Sequence, residues 1–334
     1  MTGDFLRRLR SERENLEEEF LAPAAAKSAL SRGREIEEVP DEYRTAFERD
    51  RDRIAHTKAF RRLKHKTQVF INPEGDHFVT RLTHTLQVTQ IGRAMAVALG
   101  LSEDLTEAIC LGHDVGHSPF GHTGEEALAP YVGGEWLHSA HSVRVLSILE
   151  PQNLTYEVID GIRAHSWRVD PPPSTWEGML CRFADRIAYL THDVADAIRA
   201  GILRFDDLPD KAIRRFGSSS REWINQMIRA VIDHSLASNQ VSMEAATLET
   251  MHELREFMFR NVYLRPEAEE QKQRAIGTIT NLVDYFIHHP QEVPPSTTVP
   301  EADPVTAAID YVAGMTDRYA LMTHDQLFRP RLFD

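Results

Sequence analysis

The 334-residue chain has only two cysteines and no apolar run approaching the ~20 residues that cross a bilayer. Cys110 and Cys181 form neither a CxxC pair nor a zinc spacing, so both read as reduced, buried packing residues. Alternating β-branched runs bounded by turn pairs are scarce, which argues against a core built from sheets. Cationic charge is also short: 38 Lys+Arg against 51 Asp+Glu leave a formal net charge of −13. That balance argues against a protein built mainly to coat nucleic acid or an anionic membrane. The first residues, MTGDF followed by arginines and glutamates, offer no apolar stretch of the signal-peptide kind, so a cytoplasmic protein is expected.

What is present is helical periodicity. Leu82, Leu86, Val88, Ile91, Met95 and Leu99 recur at helical spacing up to Gly100, a stop signal, and Ser102 then offers an N-cap followed by Glu103 and Asp104. Further amphipathic stretches cover 139–149, 154–165, 176–200, 220–237, 242–263, 267–288 and 304–322. The expected fold class is all-α. Residues 1–40 read as an arm, 41–205 as the catalytic core, and 206–334 as a helical region packed on that core. Proline runs at 171–173 and within 290–304 end helices, and neither is long enough to link independent domains.

Two local excesses stand out. Residues 49–66 carry a net +6 inside an otherwise acidic chain, and nine of the 16 histidines fall between His56 and His141. A charge run alone is more often a solvated helix face than a polyanion contact. The histidines concentrate around LGHDVGHSPFGHTGEE, residues 111–126. His113 and Asp114 are adjacent, His117 follows four residues on, and His122 and Glu125 are three apart. Gly121 and Gly124 read as room for a turn to approach a ligand. His84 on the preceding helix and Asp185 on a later one complete a pattern of two imidazoles and two carboxylates. That mixed set suits octahedral Mn²⁺, Mg²⁺, Fe²⁺ or Ni²⁺ with positions open for water and substrate, rather than a closed zinc site.

With these residues in view, the sequence resembles the HD-domain superfamily of metal-dependent phosphohydrolases, and within it the dGTPase-like deoxynucleoside triphosphate triphosphohydrolases. The resemblance runs from about Ser28 to about Tyr319. It is carried by DRDRIAHTKAFRRLKHKTQVF (50–70), GDHFVTRLTHTLQV (75–88), HDVGHSPFGHTGE (113–125), ADRIAYLTHD (184–193) and DYVAGMTDRYA (310–320). It implies an HD-type helical fold and hydrolysis of a dNTP at the α-phosphorus to deoxynucleoside and inorganic triphosphate. His84, His113, Asp114 and Asp185 match the metal ligands. His122 and Glu125 match a His–acid pair beside the α-phosphate, with Glu125 expected to orient His122. His117 and His138 match further active-site histidines, although Ser139 stands where the family usually has Asn. Arg81 and Arg186 match triphosphate contacts, Tyr189 and Asp193 positions reading sugar and phosphates, and Gln68 one reading the 3′-hydroxyl.

The resemblance also implies a homo-oligomer, tetramer or hexamer, with a possible nucleotide effector. Single-stranded DNA binding is left open by the net charge, and no membrane is expected. In the basic island, some of Arg61, Arg62, Lys64 and Lys66 are expected to face phosphate. Arg51 and Arg53 are instead expected to pair with Asp50, Asp52 or the arm. Two other readings stay open: another HD phosphohydrolase, such as a 5′-nucleotidase or phosphodiesterase, and a nucleotide- or nucleic-acid-responsive binding protein with vestigial hydrolysis. Arg255 and Tyr263 lie in a C-terminal stretch too weakly patterned to assign.

Overall fold

The computed structural model describes residues 5–69 and 77–330. Among them are fifteen α-helices and no strand, and β pairing is limited to isolated bridges of Arg34 with Thr155 and Thr67 with Thr80. Residues 70–76, which end one of the motifs above and begin the next, lie outside the described residues. Among the described residues no helix is long and apolar enough to cross a membrane.

The arm carries α1 (Arg10–Phe20) and then runs back over the core. Ala22 N–H donates to the Gly100 carbonyl at 2.8 Å, Ala26 N–H donates to Glu177 at 3.0 Å, and Arg34 pairs with the buried Asp50. The basic segment forms α2 (Ala46–His56) and α3 (Lys58–Arg62), each opened by a threonine whose hydroxyl caps the first turn, Thr45 and Thr57. Then come α4 (Arg81–Leu99), stopped by Gly100 at φ 66°, and α5 (Glu103–Gly112), capped by the Ser102 hydroxyl. Short helices α6 (His122–Leu128), α7 (His138–Arg144) and α8 (Tyr156–Ala164) lead to the long α9 (Trp176–Arg199).

The remaining helices are α10 (Asp210–Phe216), α11 (Ser220–Ser238), α12 (Ala245–Met258), α13 (Pro266–His288), α14 (Pro304–Ala313) and α15 (Asp317–Phe328). The amphipathic stretch expected over 304–322 is divided in two. The break falls at Gly314–Thr316, because the Thr316 hydroxyl accepts from Tyr319 N–H at 3.2 Å and starts a new helix.

Two hydrophobic cores result. The larger gathers α2, α4, α5, α9, α11 and α12 around residues such as Met95, Ile109, Ile187 and Trp223, and it buries both free cysteines. The second joins Ile279, Leu282 and Val283 of α13 to Ala308 and Val312 of α14, and to Phe120, Ala127 and Leu128 around α6. Asp317 at the start of α15 fastens the two together: its carboxylate accepts from Thr67 N–H at 2.8 Å and Phe120 N–H at 2.9 Å.

Candidate metal centre and active site

α4, α5 and α9 pack against one another, and their sequence places chemistry at one end of that contact. His84 projects from the first turns of α4, His113 lies just past the end of α5, and Asp185 lies midway along α9. His84 Nε2 is 3.1 Å from Asp185 Oδ1, and His113 Nε2 is 3.9 Å from the same oxygen. Asp114 Oδ1 lies 3.6 Å from His113 Nε2. Donors about 2.1 Å from one octahedral ion lie about 3 Å apart when adjacent and about 4.2 Å apart when opposite. All three separations fall in that interval.

The protonation pattern agrees with a metal. His113 Nδ1 sits 2.6 Å from the Cys110 carbonyl, which only accepts, so Nδ1 carries the proton and Nε2 presents a lone pair. That Nε2 is fully buried and has no hydrogen-bond partner. Burial also lowers the His113 pKa, keeping the ring neutral as a ligand must be. Burial would raise the carboxyl groups, but the Arg81 charge beside Asp114, and the His84 hydrogen bond to Asp185, oppose it and hold both ionised. The residues present therefore fit a divalent cation.

Beside this centre the HD loop turns sharply. α5 ends at Gly112, so a loop, not a continuing helix, places His117. Gly121 adopts φ 62°, and a Cβ there would stand 3.0 Å from an Arg81 guanidinium nitrogen, so this glycine does admit a close approach. Gly124 does not serve a ligand. Its missing Cβ leaves space for the Pro119 carbonyl of its own loop, 2.1 Å from where the Cβ would be.

Four histidines crowd this side. The His117 and His138 rings stack at 4.3 Å, and His122, exposed at the mouth, stands edge-on to them at 5.4 and 5.9 Å. The expectation that Glu125 orients His122 is not what the hydrogen bonds show. Glu125 Oε1 instead accepts from His138 Nδ1 at 2.6 Å, because α7 folds back over α6 and delivers His138 to it. Burial opposes the ionised form, yet His138 outweighs it and holds the Glu125 carboxyl down at about 2. On its far side His138 meets His165, Nε2 to Nε2 at 3.1 Å. His165, just after α8, is a residue the sequence reading missed. Its flanks, RAHSW, carry no ligand spacing, and only the packing of α8 on α5 brings it in.

The residues expected to bind substrate divide. Arg81 donates to Asp114 at 2.7 Å and to the Thr67 carbonyl at 3.0 Å, while its other terminal nitrogen, Nη2, is buried without a partner. Gln68 Oε1 is likewise buried without a partner. Asp185, Tyr189 and Asp193 share α9. Asp193 accepts from the Tyr263 hydroxyl at 2.5 Å, and burial lifts its carboxyl to about 7. Arg186 stacks on Trp167 at 4.1 Å and lies 2.7 Å from His252. Arg255 lies over Phe259 at 4.5 Å.

Half of the eight cations of the basic island have acidic partners. Arg49 and Arg53 pair with Glu38 of the arm, Arg51 with Asp52 and Asp104, and Arg62 approaches Glu150 at 3.7 Å. Lys66 is buried and donates to the carbonyls of His117 and Ala313. A cavity of about 1140 Å³ is lined by His56, Lys58, Arg61, Arg62, Asp310 and Tyr319 and by none of His84, His113, Asp114 and Asp185.

Comparison with known proteins agrees with this geometry. Residues 81–200 match the HD domain, and residues 241–326 match the phosphohydrolase-associated domain. A deoxyguanosinetriphosphate triphosphohydrolase-like protein of Caldanaerobacter subterraneus is 48% identical over 95% of both chains. Proteins of the same description from Desulfatibacillum aliphaticivorans and Clostridium perfringens are 43% and 41% identical, covering 96% and 97% of this chain and 98% of each of theirs. A hypothetical protein from Aquifex aeolicus, among solved structures, matches at 21% identity with a TM-score of 0.47, over 84% of this chain and 68% of that one. The histidines and aspartates gathered at the ends of α4 and α5 and on α9 are thus those of an HD-domain protein, and the chain belongs to the deoxyguanosinetriphosphate triphosphohydrolase-like family.

Proposed function

We propose that this protein hydrolyses a deoxynucleoside triphosphate at the α-phosphorus, releasing the deoxynucleoside and inorganic triphosphate. The observation that carries the reading is the convergence of His84, His113 and Asp185, with Asp114 beside them, next to a mouth lined by His117, His122 and His138. A divalent cation on the first set supplies charge withdrawal from the α-phosphoryl oxygen and a water of lowered pKa. Arg81 Nη2, with no protein partner, is oriented to donate a charge-assisted hydrogen bond to phosphate. His122, open at the mouth, handles the proton of the attacking water or of the leaving 5′-oxygen. Tyr189 and Asp193 extend along α9 toward the sugar, and Gln68 offers its unpartnered oxygen to the 3′-hydroxyl.

The native setting is proposed to be the cytoplasm, with a homo-oligomeric assembly. The cavity beside Lys58, Arg61 and Arg62 supports a second anionic ligand of the effector kind. The test is product analysis with each of the four dNTPs, singly and in pairs, with Mn²⁺ or Mg²⁺. Nucleoside plus triphosphate is the expected result. Release of monophosphate or diphosphate would move the chain to another HD phosphohydrolase class, and no turnover under any combination would leave a binding role.

A further inference from the structure

His117 lies beside the metal centre, yet no hydrogen bond holds its ring. Both imidazole nitrogens are buried without a partner, and Glu125 Oε1 stands 3.8 Å from Nε2, too far to accept. What places the ring is its stack on His138, at 4.3 Å, and the course of its own backbone. That backbone is gripped from behind. Lys66, only 2% exposed, donates from Nζ to the His117 carbonyl and, at 3.0 Å, to the carbonyl of Ala313, the last residue of α14. As ammonium or as neutral amine the nitrogen carries at least two hydrogens, one for each carbonyl. The preceding carbonyl, that of Gly116, accepts from His141 Nδ1 at 2.8 Å. His141 Nε2, 3.9 Å from Asp310 Oδ1, reaches toward the same helix.

We infer that Lys66 is a positioning residue: it sets the place of His117 beside the metal centre and ties that place to the end of α14. Packing alone does not account for a lysine here. Burial opposes its charge more than the nearby Asp317 favours it, and an apolar side chain of similar length would fill the space without that cost. What the lysine adds is a pair of donors, and both go to backbone that has no other reason to be joined. One carbonyl belongs to an active-site histidine, the other to the second core. The inference rests on the proposed hydrolysis for its rate readout, and a crystal structure separates the two.

The test is a double-mutant cycle of Lys66→Met and His117→Ala, with kcat and KM for a dNTP and the affinity for Mn²⁺ measured in each protein. Lys66→Met should lower kcat about 10- to 100-fold, the scale of a misplacement of about 1 Å, and leave ion affinity unchanged. In the His117→Ala background the same substitution should cost almost nothing further. A lysine that only stabilises the fold would cost as much in both backgrounds, and that result overturns the inference. A folded Lys66→Met with wild-type kcat overturns it too. No turnover of any dNTP by the wild type defeats the proposed hydrolysis instead. Where rates vanish, in that case or in His117→Ala, the crystal structure of Lys66→Met decides: a His117 ring displaced from its stack on His138 upholds the inference, and an unmoved ring overturns it. Should Lys66→Met not fold, Lys66→Gln, one atom shorter and still a donor, takes its place in the cycle and in the crystal.

Discussion

Arg81 and Asp114 form an ion pair, Nη1 to Oδ2 at 2.7 Å, in which each side chain is only 3% exposed. Removing one member of such a pair leaves a buried charge uncompensated, at a cost of about 3–5 kcal/mol. Arg81→Ala should therefore lower thermal stability markedly in the presence of a chelator. Saturating Mn²⁺ should restore part of the loss, because a cation beside Asp114 replaces the missing charge. Scanning calorimetry with and without metal checks this, and an unchanged melting temperature in chelator would show that the pair is not structural.

Metal removal gives a second expectation. Dialysis against a chelator should abolish hydrolysis, and Mn²⁺ should restore it in the wild type. In His113→Ala or Asp185→Asn, affinity for the ion should fall at least about 100-fold, the upper end of what loss of an outer supporting partner causes. Calorimetric titration of the ion against each variant reads this directly.

Lys66 sets a pH dependence of stability. Burial pushes its ammonium down to about 7, from 10.5. Between these values the unfolded chain holds a proton that the folded chain has released, so stability rises as pH increases from about 7 to about 10.5. The slope is at most about 1.4 kcal/mol per pH unit. Lys66→Met should lack it, so chemical denaturation of both proteins at pH 6 and pH 9 should show the wild type gaining relative to the variant.

Asp193 titrates in the opposite sense. Its folded pKa, lifted by burial to about 7, lies above the unfolded value of 3.8. The stability this contributes is full below about 4 and is lost as pH rises through 7. Above that point the ionised carboxyl adds a negative charge beside the proposed sugar position of an anionic substrate, so KM for a dNTP should climb. Asp193→Asn should flatten the climb. Tyr263→Phe, which deletes the hydroxyl that favours the ionised form, should move it to higher pH.

How much of this the sequence shows depends on distance along the chain. The edges of α4 and α5 are readable because Gly100 and Ser102 act locally, through a left-handed turn and a side-chain cap. The donors His113 and Asp114 are adjacent, and the family motifs tie His84 and Asp185 to them. Glu125 illustrates what is hidden: its partner, His138, arrives only when α7 folds over α6. His165 is hidden more deeply, since no spacing marks a histidine delivered by one helix packing on another. Amphipathic stretches likewise show that 267–288 and 304–322 bury a face without showing that they build a second core.

That second core separates two properties that are usually assumed to fail together. His84, His113 and Asp185 are mounted on helices of the larger core, whereas α6, which begins at His122 and carries Glu125, rests on α13 and α14. Ile279→Ala, in the second core, should cost about 2–5 kcal/mol. It should slow turnover while leaving ion affinity nearly unchanged, as stopped-time assays beside metal titration would show. That outcome would make grip on the ion and speed of the proposed reaction heritable separately. Substitutions far out on α13 can retune the rate by shifting one half of the catalytic apparatus against the other, with every ligand left in place.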